Sequence, residues 1–131
     1  MIGLDTNVLV RYIMQDDAIQ ATKAEMLIES LDADNPGFVA LVSVIELVWV
    51  LSSCFDLTRN QIAQALEVLL RTKQLVVEQA DQVGRALRVF GSSKADFADC
   101  LIERSAAQAG CQRTMTFDVG ASRYAGMTLI K

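Results

Sequence analysis

The sequence predicts an α/β fold with three α/β/α layers. A central, mainly parallel sheet of about five short strands would lie in a single domain spanning residues 1–131. Three observations predict it. Short apolar segments alternate with helical patterns along the whole chain, the order expected of βαβ units. The strand segments are apolar without alternation, as when both faces are covered. The 131 residues are 52% hydrophobic and 21% charged, with one proline and seven glycines, which suits one folded core and leaves little room for a linker.

Taken in order, "MIGLD" reads as a buried strand ending on Asp5, and "TNVLVRYIM" as a short helix with Thr6 or Asn7 as its cap. Residues 16–31 carry Ile19, Ala24, Leu27, Ile28 and Leu31 as a helical stripe, and "DADNPG" breaks it. "FVALV" (38–42) is a second strand, and "VIELVWVLSSCF" a largely buried helix. Residues 57–71 form a helix capped by Thr58, and "LVVE" (75–78) is a third strand. A helix over 80–90 stops at "GSS", and another over 94–110 closes at Gly110. "RTMTFD" (113–118) is a fourth strand, again ending on an aspartate. "VGASRYAG" is a turn or short helix, and "MTLI" a last strand.

Several function classes are excluded or disfavoured. The chain has no histidine, which removes histidine-ligated zinc and histidine-based triads. Cys54, Cys100 and Cys111 are odd in number and unremarkably spaced, so they read as small buried side chains in a reducing, cytoplasmic setting. The longest apolar run, residues 38–51, contains Ser43 and Glu46 and is short for a membrane span. No basic region precedes the first apolar segment, which argues against a secretory signal.

Chemistry concentrates in carboxylates. Asp5 and Asp118 end strands, where sites form in open parallel sheets. Glu46 follows the second strand, and Asp96 and Asp99 open a helix. Alternating connections would bring these carboxylates to one end of the sheet, where like charges repel. A divalent cation relieves that conflict, and all-oxygen ligation suits Mg²⁺ or Mn²⁺. Each residue also has a structural reading. Asp5 can start a turn or cap a helix, Asp118 can be a turn residue, Ser43 and Glu46 can form a capping box, and Asp96 or Asp99 can favour a helix start through the dipole.

"IGLDTNVLVRY", "VSVIELVWVL", "ADFADCLIE" and "TMTFD" resemble, in order and spacing, the motifs of PIN-domain proteins, and most of all the VapC-type toxin ribonucleases. The resemblance covers nearly the whole chain and implies a single PIN-like nuclease domain. It implies that Asp5, Glu46, Asp99 and Asp118 are catalytic, with Asp5, Asp99 and Asp118 binding Mg²⁺ or Mn²⁺ and Glu46 and Asp96 as further candidate ligands. Asn7 and Thr116 match supporting polar positions. It further implies an RNA substrate, a small cognate antitoxin and a homodimer. Cys100 stands where a small apolar residue is usual, a mild departure. The net charge of −4 disfavours RNA by itself, but setting aside Asp5, Glu46, Asp96, Asp99 and Asp118 turns −4 into +1. Arg11, Lys94 and Arg123 lie near the motifs as candidate phosphate contacts.

Three alternatives compete. "LDTNVLV" approaches the D-x-D-x-[TV] pattern of haloacid-dehalogenase-like phosphatases, but Asn7 replaces the second aspartate. A response-regulator receiver needs an aspartate after the third strand, where Glu78 stands. A degenerate PIN domain acting as a binding module would show loss of an acidic ligand, and all four are present. For the dimer, Leu47, Val50, Leu51, Leu66, Leu69 and Leu70 look like more apolar surface than one core needs.

Overall fold

The computed structural model covers residues 1–131. Five strands and seven helices alternate as expected: β1 (Ile2–Gly3), α1 (Thr6–Met14), α2 (Ala18–Glu29), β2 (Gly37–Val39), α3 (Leu41–Ser53), α4 (Arg59–Arg71), β3 (Leu75–Val77), α5 (Ala80–Ser92), α6 (Phe97–Gln108), β4 (Met115–Thr116), α7 (Val119–Tyr124) and β5 (Thr128–Leu129). The fold is α/β, and every strand pairing is parallel. The chain divides into two compact units, Met1–Glu78 and Gln79–Lys131. No helix is long and apolar enough to cross a membrane.

In the first unit the strands run in the order β1-β2-β3, with Gly3 opposite Phe38 and Phe38 opposite Val76. That register brings the chain just past β1, β2 and β3, at Asp5, Ala40 and Glu78, to the same end of the sheet. Gly37 is required by close packing: a Cβ there would lie 2.9 Å from methyl carbons of both Leu31 and Leu4. Leu9, Val39, Val44, Leu47, Leu51 and Leu66 are completely buried.

Several boundaries differ from the sequence reading. Asp5, not Thr6 or Asn7, caps α1. The second strand stops at Val39, because Ser43 and Val44 already donate to the Ala40 carbonyl at 3.0 and 3.2 Å and start a helix. The Ser43–Glu46 capping box therefore does not form, and Glu46 lies in the second turn of α3. The helix start is satisfied from elsewhere: the Leu41 amide donates to Glu78 Oε1 at 2.8 Å. A carboxylate there also complements the helix dipole. The cap at Thr58 is as expected, and with Gln61 it forms a full capping box.

In the second unit β4 and β5 pair, with Thr116 opposite Leu129. Phe90 and Phe97 meet edge to face at 5.8 Å, anchoring α5 against α6. α5 runs through Gly91 and Ser92 rather than ending at 90, because neither residue forces a left-handed turn there. α6 begins at Phe97, not 94, since Asp96 takes the cap position. It ends as a Schellman motif, with Gly110 at φ 96°, its amide donating to Ala107 and that of Cys111 to Ala106.

Two expectations about burial are corrected. Leu47, Leu51, Leu66 and Leu69 lie in the core and offer no surface for a partner, because their helices pack on these faces. Of the cysteines only Cys100 is buried; Cys54 ends α3 and Cys111 follows the turn after α6, so both are exposed.

Candidate active site

The first unit supplies an acidic cleft of about 590 Å³, lined by Asp5, Asn7, Arg11, Asp16, Glu46 and Cys54 among others. Asp5 reaches it from the end of β1. Glu46, Val50 and Cys54 reach it from one face of α3, at i, i+4 and i+8 spacing. The Thr6 amide donates to Asp5 Oδ1 at 2.7 Å, which fixes the carboxylate and leaves Oδ2 without a protein donor. Glu46 is exposed, so its helix imposes no burial cost on it. Arg11 is held in place: its Nε donates to Gln20 Oε1 at 2.8 Å, and its guanidinium lies 3.3 Å from Asp16.

The second unit supplies Asp96, Asp99 and Asp118. Asp96 caps α6, its Oδ2 accepting from the Asp99 amide at 3.1 Å. Asp118 caps α7, its Oδ1 accepting from Gly120 and Ala121 at 2.8 and 3.3 Å. Thr116 Oγ1 accepts from the Asp118 amide at 3.0 Å and so steadies the backbone of Asp118 rather than its carboxylate. Asp99 is half-buried in the first turn of α6. Burial, and then the negative charges of Asp96 and Asp118, hold its carboxyl above the ordinary carboxylate range. Lys94 and Arg123 are exposed and take no part in an ion pair.

A pattern joins the two sets. Asp5, Asp96 and Asp118 each cap a helix with one oxygen and leave the other unclaimed. The carboxylates are oriented by backbone amides, yet each keeps a free hard donor. That donor chemistry fits Mg²⁺ or Mn²⁺, and the charge crowding at Asp99 is what a cation would relieve. No group of three or more acidic or thiol side chains is gathered closely enough to hold an ion as the side chains stand.

Sequence reasoning weighed Glu78 only as the wrong residue for a receiver, missing its bond to the start of α3, and passed over Asp16. Glu78 carries the signal that found Asp5 and Asp118, an acid just past a strand. Asp16 had none, since its role is to meet Arg11 across a turn.

The family model for the PIN domain matches residues 2–127, running across both units. A VapC ribonuclease of Aquifex aeolicus (strain VF5) is 25% identical over 114 residues, which cover 87% of this chain and 84% of that one.

Proposed function

Because the chain belongs to the PIN-domain family, we propose that it is a cytoplasmic Mg²⁺- or Mn²⁺-dependent endoribonuclease, the toxin of a type II toxin–antitoxin pair. The observation that carries this is that the capping aspartates of each unit, Asp5 in the first and Asp96 and Asp118 in the second, keep one free oxygen each, and that within the second unit burial, then Asp96 and Asp118, disfavour the charge of Asp99. The similarity to a VapC ribonuclease supports the substrate class and the antitoxin partner.

In this reading Asp5, Asp99 and Asp118 hold the cation, with Glu46 and Asp96 as further ligands. The cation would supply Lewis acidity at the phosphate and lower the pKa of water. Glu46, exposed in its cleft, would either join the ligands or orient the attacking water. Asn7 and Thr116 steady the first and last aspartates. Arg11, Lys94 and Arg123 meet phosphates. Retention of all four acids speaks against a degenerate binding module.

Purified protein should cleave single-stranded RNA with Mn²⁺ or Mg²⁺, and stop with a chelator; cleavage that ignores the chelator overturns the reading. Coexpression with the small cognate antitoxin should suppress cleavage. Glu46→Gln should lower the rate at least about tenfold and leave stability within about 0.5 kcal/mol, since Glu46 caps nothing. Equal rates in both proteins would remove Glu46 from the site.

The homodimer belongs to the same proposal, with a different surface from the one read in the sequence. Val42, Ile45 and Trp49 form a stripe on α3 and are 71%, 38% and 63% exposed. Trp49→Glu should convert a dimer to a monomer in sedimentation; an unchanged mass would exclude this face.

A further inference from the structure

We propose that the groove between α1 and α2 seats a phosphate neighbouring the scissile one on a single-stranded RNA, with Lys23 as its cation. This rests on the nuclease reading and names a substrate contact that the motifs do not contain.

The groove is about 420 Å³ in volume and is lined by Asn7, Arg11, Gln20 and Lys23 over Val8 and Leu27. No carboxylate lines it. The adjoining cleft, which shares Asn7 and Arg11 with it, carries Asp5, Asp16 and Glu46. Two neighbouring clefts of opposite chemistry thus meet along one ridge of α1. Acidic oxygens on one side suit a cation and the bond to be cut. Amides and cations on the other suit an uncut phosphate, which strong negative charge would repel.

The groove is built from regular spacing. Gln20, Lys23, Ala24 and Leu27 stand at i, i+3, i+4 and i+7 on α2, one helical face. Asn7 and Arg11 are four residues apart on α1, about 6 Å along its axis, comparable with the step between phosphates of an extended strand. Gln20 Oε1 accepts from Arg11 Nε at 2.8 Å, so the guanidinium is fixed before any ligand arrives. Asp16 offsets much of that charge. Lys23 is exposed and makes no ion pair, so its charge is available to a phosphate. Val8 and Leu27 give the ribose an apolar wall.

The test measures binding apart from cleavage. A fluorescein-labelled single-stranded RNA is titrated in Ca²⁺ with wild type, Lys23→Ala and Lys23→Arg, between about 50 and 200 mM salt. Single-turnover cleavage in Mn²⁺ is followed in parallel. Lys23→Ala should weaken binding roughly 3- to 10-fold and flatten the salt dependence by about 0.7 in log–log slope, one single-strand phosphate contact. Saturated cleavage should stay near wild type, and Lys23→Arg should restore both binding and slope. Unchanged affinity and slope in Lys23→Ala would overturn the inference even where wild type cleaves RNA. Lys23-dependent binding with no cleavage by wild type would instead overturn the nuclease reading and leave the groove standing. Displacement of the RNA from wild type by polyglutamate at matched charge would assign the groove to an acidic protein segment and overturn the phosphate seat.

Discussion

Asp99→Asn is expected to abolish metal-dependent RNA cleavage, a loss on the order of 100-fold or more, and at the same time to raise the melting temperature of the metal-free protein. The second half is the unusual one. A carboxylate in the first turn of a helix ordinarily stabilises it through the dipole, by about 0.3–1 kcal/mol. At Asp99 burial and the charges of Asp96 and Asp118 oppose ionisation, and the upward direction of its carboxyl shows that they win. The folded protein therefore keeps a proton on Asp99 at a pH where the unfolded chain has lost it. Stability from this group is fully present below the unfolded carboxylate value and is lost as pH rises through the raised folded value.

At neutral pH the wild type bears that loss and Asp99→Asn does not. Because Asp99 is partly solvated, the gain is discounted to well under 1 kcal/mol, a rise of about 1–3 °C. Saturating Mn²⁺ should reverse the order, since a ligand bound only to the folded state stabilises it and the variant lacks a ligand. Melting curves with and without Mn²⁺ at two pH values read all of this. A fall in melting temperature with intact cleavage would show that Asp99 is a helix-start carboxylate and nothing more.

Much of this was legible because short parallel strands leave simple signals. Asp5 and Asp118 stand where apolar runs end, and Thr58 announced its helix three residues before Gln61. What failed to show had two causes. Where two helical or extended readings share one apolar run, as at Ala40–Leu41, the decision came from Glu78, 37 residues away, whose carboxylate satisfies the helix start. Burial failed in a similar way. Leu47 and Leu51 looked surplus because sequence cannot tell which face of α3 meets α1, while Val42 and Trp49, equally apolar, are the ones left outside. Structural readings of Asp5 as a cap, Asp96 as a helix-start carboxylate and Asp118 as a turn residue were visible as alternatives to metal binding, while the capping roles of Asp96 and Asp118 appear only in the structure. In the structure each capping bond takes one oxygen and leaves the other, so the two readings are compatible.

That compatibility makes the contrast between Asp5→Asn and Asp5→Ala decisive. Asparagine caps a helix about as well as aspartate, so Asp5→Asn should keep the bond from the Thr6 amide and change stability by only a few tenths of a kcal/mol. Alanine removes the cap as well, at about 1 kcal/mol, which lowers the melting temperature by about 3–6 °C. Both variants should lose cleavage by about 100-fold or more, because both lose the charge on the free oxygen. Cleavage retained in Asp5→Asn and lost in Asp5→Ala would mean that the cap alone sustains activity, and would remove Asp5 from the cation site. Asp118, held by Gly120 and Ala121, carries the same expectation. Its alanine variant should be the more damaging to the fold, because it frees two backbone amides where Asp5→Ala frees one.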